Sequence, residues 1–299
     1  MRLAVADSFY KKTLRSALVC GSVCAFLVWH PGGAAAAFEI KGIGPQERGS
    51  ATHLALGMVT GSFHIPSLEM SDTTWESSPA GGAPAQSAAI TVYGFKPFNV
   101  GEIDFMSIAA AIPASRLVRG VAVSYQRLEA LSYVEQVFLA SVGFGSRWAF
   151  IQPAVRLGTA ESKSGFRDWA FFADIYARTR LRDNMKLAVG IENPFGLGLV
   201  KEGSRSPQRL EIGLGFLVSE GLACGTEVTK ESGFPTGVAS GVEWNAFKGL
   251  FLRSGLRTSP EEFCFGVGFR RGHIAVDLSS SVSFDLGATH EAGVTWLWK

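Results

Sequence analysis

The last part of the chain, from Glu261 to Trp298, alternates bulky apolar residues with small or polar ones. In its first segment the apolar positions are Phe263, Phe265, Val267 and Phe269, and the residues between them are Cys264, Gly266, Gly268 and Arg270. The same alternation recurs over 274–279 and 291–298. A repeat of two residues predicts β-strands that have one apolar face and one small or polar face.

Fourteen such segments follow one another from Ala88 onward. The predicted strands span 88–97, 102–112, 118–128, 133–145, 148–159, 166–181, 184–193, 208–219, 221–230, 235–247, 249–258, 262–271, 273–283 and 287–298. Most contain the roughly 9–11 residues that a tilted strand needs to cross a bilayer. An even strand number is typical of single-chain bacterial barrels. The pattern therefore predicts an all-β fold, a 14-stranded antiparallel transmembrane β-barrel over 88–299. A soluble β-sandwich that buries the aromatic face is the alternative.

The connections between these strands alternate in length. Tight ones are predicted near Arg271-Gly272, Lys248-Gly249, Glu220, Asp183-Asn184 and Ser146-Arg147. Most of the alternate connections are longer, with 194–207 the longest, and the connection 112–118 is an exception to the rule. Short periplasmic turns and longer external loops are typical of outer-membrane barrels. A sandwich has no reason to alternate its loops in this way.

The N-terminus has the pattern of a secretory signal. Arg2, Lys11, Lys12 and Arg15 precede an apolar run over 16–29, and alanines 34–37 suit cleavage. We expect residues 1–37 to be a signal peptide, with an uncleaved anchor as the alternative. The mature chain is then expected in the outer membrane of a Gram-negative-type bacterium. Without a long apolar run, it can span a membrane only as a closed barrel, because lipid satisfies no backbone polar groups.

Residues 38–87 differ from the strands that follow them. They combine an apolar patch over 54–63, a polar stretch over 71–78 and a run of small residues over 79–85. The composition is compatible with a disordered linker. The apolar patch favours a segment folded into the mouth or lumen of the barrel, so we predict an N-terminal hatch or periplasmic segment here.

Few residues offer catalytic or metal-binding chemistry. Only 18% of the residues are charged and the formal net charge is +2, so nothing indicates a nucleic-acid partner. After signal cleavage Cys224 and Cys264 remain, on opposite strand faces in this phasing, which argues against a disulfide and against a metal site. The prediction is a protein with no cofactor and no metal.

An esterase site built on His290 is the remote alternative. His290 adjoins Glu291, and four serines lie one strand away, namely Ser279, Ser280, Ser281 and Ser283. Because adjacent residues of a strand point to opposite faces, Glu291 cannot easily orient His290 as a general base. We therefore expect the chain not to be an enzyme.

Three short motifs resemble the PorV/FadL-like outer-membrane barrels. Ala55-Leu56-Gly57-Met58 with Gly61-Ser62-Phe63 is similar to the family's N-terminal segment. The stretch 75–81, Trp-Glu-Ser-Ser-Pro-Ala-Gly, resembles the turn before its first strand, although Ser77-Ser78 replaces an Asn. Residues 287–290 resemble the start of its last strand. The resemblance implies an N-terminal hatch followed by fourteen strands.

The strand phasing also predicts which charges face the lumen. These are Asp174, Arg178, Glu211, Glu227, Glu243, Arg253, Arg257, Arg270, Asp277 and Glu291. Their mixed signs favour a cross-lumen ion-pair network that stiffens the barrel, and a selective path for solutes is the alternative.

Three functions are compatible with these patterns. The first is a FadL-like barrel that passes or binds a small hydrophobic molecule. The second is a PorV-like partner in secretion or assembly that holds a secreted protein through external loops. The third is a plugged structural barrel without transport. The expected partners also include outer-membrane lipid and the barrel-assembly machinery, which would contact the C-terminal strand.

Overall fold

The fold is a single antiparallel sheet closed into a barrel. The computed structural model describes residues 88–113, 118–145, 148–198, 200, 206–219, 221–259, 261–283 and 286–298. The strands are β1 Ala88–Lys96, β2 Ile103–Pro113, β3 Val118–Ala130, β4 Tyr133–Gly145, β5 Ala149–Ser162, β6 Arg167–Arg182, β7 Met185–Glu192, β8 Arg209–Ser219, β9 Leu222–Glu231, β10 Gly237–Phe247, β11 Leu250–Thr258, β12 Glu261–Arg271, β13 Ile274–Ser283 and β14 Gly287–Trp298. A short 3-10 turn, Pro97–Asn99, follows β1.

Each strand pairs with its neighbours in sequence, and β1 pairs with β14 to close the ring. At the closure Ala88 lies opposite Trp298 and Lys96 opposite His290. The predicted 14-stranded antiparallel barrel is confirmed, and every predicted strand boundary lies within three residues of the observed one. Closure gives every strand a partner on both sides, so the sheet leaves no edge with unpaired backbone groups.

The apolar side chains of the alternating strands lie on the outer surface of the barrel. In β12 the exposed fractions of Phe263, Phe265 and Phe269 are 47%, 52% and 49%, whereas Cys264 between them is 1% exposed. A soluble sandwich would bury these rings between two sheets. The predicted outward phase of the aromatic face is therefore confirmed, and the sandwich is wrong.

Tryptophans lie near the ends of this outer surface, with Trp169 near the end where β6 begins and the other tryptophans of the described residues at the opposite end. We call the end that holds Ala88 and Trp298 the terminal rim, and the opposite end the loop rim. Trp244, Trp296 and Trp298 lie on the outer face at the terminal rim, and Trp148 directly precedes β5, which starts there. Indole rings at this level are typical of the aromatic girdle that meets the membrane interface.

The two rims differ in their connections. At the terminal rim the turns 183–184, 248–249 and 272–273 are tight, and Gly249 and Gly272 adopt positive φ angles of 84° and 60° there. The loop rim has the longest connection, 193–208, although its connections 131–132 and 259–260 are as short as those of the other rim. The predicted alternation of short and long connections thus holds for most of the barrel.

The inner face of the wall carries two kinds of side chain. Inward apolar clusters occur on β1–β7, and one of them consists of Phe95, Phe105 and Leu128 with Tyr93 and Ile103 packed against it. On β8–β12 many inward positions are glycines or charged residues, as in Glu211, Gly213 and Gly215 of β8, and the apolar clusters there are small, Ala239 with Cys264 and Ala223 with Leu217. Inward apolar clusters are therefore larger on β1–β7, and inward glycines are more frequent on β8–β12.

The predicted signal peptide, 1–37, and the predicted hatch, 38–87, lie outside the described residues. Within the described part of the chain, no helix has the length and apolar character needed to cross a membrane.

Candidate functional site in the barrel lumen

The ten charged residues predicted to face the lumen all lie in phase with the buried side of their strands. Asp174, Arg178, Glu211 and Glu227 are buried. The other six are intermediate in exposure: Glu243, Arg253, Arg257, Arg270, Asp277 and Glu291. The fold brings three of them together directly, because Arg253 contacts both Glu243 and Asp277.

The first of two ion networks is the Arg156 network, formed by Arg156, Asp174 and Glu192 on β5, β6 and β7. The guanidinium of Arg156 donates from Nε to Asp174 Oδ2 at 2.5 Å and from Nη2 to Asp174 Oδ1 at 2.8 Å. Its Nη2 also lies 3.9 Å from Glu192 Oε2. Such a two-pronged contact is the strongest form of carboxylate–arginine pair.

The Arg156 network is continued by neutral groups. Tyr176 donates its hydroxyl to Glu192 Oε1 at 2.9 Å, and the ring of Phe172 lies beneath the Arg156 guanidinium at 5.0 Å. Burying three charges is tolerable only when each has partners, because the desolvation penalty is several kcal/mol per ion. Here each charge of the network has at least one.

The same network anchors the longest connection of the barrel. The backbone N–H of Asn193 donates to Asp174 Oδ1 at 2.9 Å, and Asn193 Nδ2 donates to the carbonyls of Leu197 and Ser206 at 2.8 and 3.0 Å. Asn193 Oδ1 accepts the Leu197 N–H at 2.9 Å. Asn193 is 1% exposed and has a φ of 47°, a conformation that asparagine tolerates better than most residues. Both ends of 193–208 are therefore fixed to the lumen wall.

The second network, the Arg253 network, consists of Arg253, Glu243 and Asp277. Arg253 Nε donates to Glu243 Oε2 at 2.6 Å on the neighbouring strand, and Nη1 donates to Asp277 Oδ1 on β13. Between Arg253 and Asp277 lies β12, where Gly268 has no side chain. A Cβ added at Gly268 would lie 2.6 Å from Asp277 Oδ1 and 2.8 Å from Arg253 Nη1. Because Gly268 has no side chain, the side chain of Arg253 can pass over β12 and reach Asp277.

An apolar surface lines the loop half of the lumen on β1–β3. The rings of Phe95 and Phe105 stack with centroids 4.5 Å apart, and the Tyr93 ring lies 5.7 Å from that of Phe105. Leu128 continues the surface in register with Phe105. We call Phe95, Phe105 and Leu128 the aromatic wall. The three side chains are 5%, 3% and 3% exposed, so water reaches this surface poorly.

The inward charges are divided along the barrel axis. The strand halves nearer the loop rim carry three arginines, Arg156, Arg209 and Arg257, against nine acids, namely Glu135, Asp168, Asp174, Glu192, Glu211, Glu227, Glu231, Glu262 and Glu291. The halves nearer the terminal rim carry Glu243 and Asp277 against five cations, Arg178, Arg180, Lys186, Arg253 and Arg270. Among the inward side chains of the described strands, acids therefore predominate toward the loop rim and cations toward the terminal rim.

Several of these residues were not predicted from the sequence. Arg156 and Glu192, two members of the most buried network, were absent from the predicted set, as were Glu135, Asp168 and Glu262. A signal existed for Arg156, since Val155 and Leu157 beside it are outward apolar residues of an alternating segment. The inward orientation of Arg156 could have been predicted from the alternation along β5, as the orientation of Asp174 was from the alternation along β6.

The residues considered for catalysis are separated by the strand geometry. His290 lies on the outer face opposite Ser280, whereas Glu291 lies on the inner face, where Ser279 Oγ approaches its carboxylate at 3.5 Å. Cys264 is buried in the inner face and Cys224 lies in the outer phase of β9, and both are free thiols. Among the described residues no group of three or more His, Cys, Asp or Glu is arranged to hold a metal ion.

Comparison with known proteins identifies the fold and no family. No family model matches the chain, and no curated protein matches it. Among solved structures, a mutant of the TodX monoaromatic hydrocarbon channel has a TM-score of 0.52 and 9% identity, over 71% of this chain and 89% of TodX.

Two porins are also similar. The KdgM porin has a TM-score of 0.43 and 9% identity, over 70% of this chain and 98% of KdgM. A mutant of the Rh. blastica porin has a TM-score of 0.43 and 9% identity, over 71% of this chain and 99% of that porin. At such low identity only the architecture is shared. The chain has the closed-barrel fold of outer-membrane channels, and the PorV/FadL-like resemblance stays a prediction.

Proposed function

We propose that the chain spans the outer membrane and passes or binds small hydrophobic molecules through its lumen, as a FadL-like barrel does. The observation that carries this proposal is the aromatic wall on β1–β3, an inward apolar surface whose side chains are only 5%, 3% and 3% exposed, so that water is largely excluded from this part of the lumen. The exposed apolar outer face supports the membrane location. Signal cleavage after residue 37 would deliver the chain to that membrane.

The outer surface matches what a bilayer requires. Phe263, Phe265, Val267 and Phe269 present an unbroken apolar strip along β12, and the outer-face ion pairs of the described residues, such as Lys96–Asp104 and Arg127–Glu129, lie near the loop rim. An arginine or lysine placed at the middle of this surface would cost about 2–4 kcal/mol. Their restriction to the end of the barrel supports an immersed middle zone.

A plugged structural barrel is the second candidate, and the Arg156 network favours it. Three charges that are almost completely buried indicate that water reaches this part of the wall poorly. A PorV-like partner of secreted proteins is the third, since the 193–208 connection is held at both ends by Asn193. Uptake measurements separate these candidates.

The test uses intact cells, whose lipopolysaccharide layer excludes hydrophobic probes. N-phenyl-1-naphthylamine is neutral and fluoresces once it passes this layer. Cells that express the full chain should take it up faster than cells with an empty vector. Phe105→Ala should slow the uptake, whereas Phe269→Ala, which removes an equal ring from the lipid face, should not. Uptake equal to that of the vector would contradict the proposal. Sugar-driven swelling of liposomes that contain the protein would exclude the plugged barrel.

A further inference from the structure

The longest connection of the loop rim continues the barrel wall beside β6. Strand β6 has 16 residues and β7 has 8, and the last pair between them toward the loop rim is Asp174 with Glu192. Beyond that pair the backbone N–H of Val200 donates to the carbonyl of Trp169 at 3.0 Å. We call residues 193–198 and 200 the Asn193 segment. This segment therefore runs along the part of β6 that β7 leaves unpaired.

Several backbone polar groups of the Asn193 segment are bonded within the protein. The N–H of Gly196 donates to the Asn193 carbonyl at 2.9 Å, and the N–H of Leu197 donates to Asn193 Oδ1 at 2.9 Å. The Leu197 carbonyl accepts Asn193 Nδ2 at 2.8 Å. The Pro194 carbonyl accepts Gln208 Nε2 at 2.7 Å. Because hydrocarbon offers no hydrogen bonds, each unbonded backbone group near lipid costs free energy. These bonds therefore allow the segment to lie at the boundary between lipid head groups and acyl chains.

Two residues at the start of β8 place the Asn193 segment on the outer side of the wall. Gln208 continues the pairing of β8 with β9, since its carbonyl accepts the Ser232 N–H at 2.9 Å. The alternation along β8 puts Gln208 and Leu210 in the outward phase. The side chain of Gln208 bonds the Pro194 carbonyl from that side. Leu210 is only 9% exposed, whereas the outward Val218 near the other end of β8 is 60% exposed. A segment that lies over the outer face of β8 explains both observations.

The side chains that the Asn193 segment exposes are apolar. Phe195, Leu197 and Val200 are 72%, 39% and 54% exposed, and residues 193–200 include no charged residue. They adjoin the exposed outward face of β6, where Val200 is bonded to Trp169. Exposed apolar surface of this kind marks contact with a membrane or with a protein partner. Its continuity with the outer apolar face of the barrel favours lipid.

Trp169 also indicates the level of the segment along the barrel axis. Two residues closer to the loop rim, Arg167 pairs with Glu161 at 3.0 Å, and both side chains are exposed to water. Tryptophan is enriched where such a polar zone meets the apolar part of a membrane. Val200, which is bonded to Trp169, therefore lies at the level of the membrane interface.

We propose that the Asn193 segment binds membrane lipid and inserts Phe195, Leu197 and Val200 into the leaflet at the loop rim. The longest connection is then a membrane-binding part of the wall rather than a free external loop. This inference rests on the proposed function only in requiring that the barrel spans a membrane. Occupation of the same side chains by a secreted protein is the contrary outcome of the test.

Spin labels measure where the segment lies. All four cysteines are first replaced, by serine at 20, 24 and 224 and by alanine at the buried position 264. Phe195→Cys or Val200→Cys then carries one nitroxide in the full barrel, reconstituted in phospholipid vesicles. Paramagnetic resonance compares collisions of the nitroxide with O2, which concentrates in lipid, and with a nickel chelate, which stays in water. The references are Phe265→Cys on the lipid face of β12 and Ser164→Cys in the exposed turn before β6.

The ratio of O2 to nickel collisions at Phe195 should exceed that at Ser164 several-fold and approach that at Phe265. A ratio at Phe195 no higher than that at Ser164 would overturn the proposal and leave the side chains to a partner from water. Few collisions with either reagent would overturn it as well, because the label would then be buried in protein. Val200 is read separately and decides the question if the Phe195 variant does not fold.

Asn193→Gly tests the physical reason. Glycine tolerates the φ of 47° but removes the amide that bonds the backbone of Leu197. The collision ratio at Phe195 should fall toward the Ser164 reference. Asn184→Gly, in the exposed tight turn between β6 and β7, is the matched control. If Asn193→Gly lowers the ratio no more than this control does, the bonds of Asn193 do not hold the segment at the membrane.

The Phe265 reference separates this outcome from that of the proposed function. If the label at Phe265 also collides mainly with the nickel chelate, the outer face of the barrel is not in lipid, and the proposed function fails together with the inference. If Phe265 is in lipid and Phe195 is in water, the barrel spans the membrane and only the inference about the Asn193 segment fails.

Discussion

The two ion networks of the lumen have the same composition and different surroundings. Each consists of one arginine and two carboxylates on three separate strands. Arg156 and Asp174 have side chains that are 5% and 0% exposed, whereas Asp277 in the Arg253 network is 31% exposed. Arg156 on β5 contacts Asp174 on the adjacent strand β6 and lies 3.9 Å from Glu192 on β7, whereas Arg253 reaches Asp277 across β12 at Gly268. The barrel wall thus contains two different kinds of ion network that connect its strands.

The contrast reveals what each network needs. The Arg156 network excludes water, so its stability depends on a complete set of partners, which include the backbone of Asn193. In the Arg253 network the carboxylate of Asp277 is partly exposed to water. The stability of this network therefore depends less on a complete set of partners and more on the space left by Gly268. Substitutions should therefore act on the two networks with different magnitudes and for different reasons.

The largest effect is expected for Asp174→Asn. It leaves the buried guanidinium of Arg156 with Glu192 as its one remaining acid at 3.9 Å, and the loss should be about 3–5 kcal/mol of unfolding free energy. Denaturant unfolding of the barrel refolded in lipid vesicles measures it. Asp104→Asn, in an exposed pair with Lys96, is the control. A loss no larger than that of the control would show that the Arg156 network is not a structural tie.

Gly268→Val should have the next largest effect. The new side chain occupies the space used by Arg253 and Asp277, and overpacking of this kind costs about 1–3 kcal/mol. Gly101→Val is the control, because a Cβ added there meets nothing within 4 Å. The same unfolding experiment applies. If the Arg253 contact across β12 is what the valine breaks, combining it with Asp277→Asn should give less than the sum of the single losses.

Asp277→Asn alone should cost less, about 1 kcal/mol. Arg253 keeps its bond to Glu243 at 2.6 Å, and the partly exposed asparagine can still accept a hydrogen bond. Comparison of its unfolding midpoint with that of Asp174→Asn measures directly how burial separates the two networks. Equal losses for the two substitutions would remove the distinction drawn between them.

Glu129→Gln should have the smallest effect, within about 0.5 kcal/mol. Its pair with Arg127 lies on the outer face with side chains 51% and 42% exposed, and exposed pairs contribute little. This variant therefore sets the baseline of the same unfolding assay. A loss comparable to that of Asp174→Asn would mean that the ion pairs near the loop rim stabilise the barrel as much as the lumen does.

Much of the fold followed from local alternation. The period of two places Phe263 and Cys264 on opposite faces whatever the strand pairs with, because the backbone of a strand points successive side chains in opposite directions. Strand number and strand phase could therefore be predicted from residues that are neighbours in the chain. The same holds for the separation of His290 from Glu291.

Local alternation could not predict which inward side chains contact one another. Arg156 and Glu192 are far apart in the chain, and Phe95 meets Glu291 because the first strand closes on the last. Register and closure depend on all fourteen strands together, and no local pattern contains them. Local alternation thus specified a barrel wall with an apolar outside. Closure of the sheet added an aromatic wall between glutamates and two arginine-centred networks on the inside.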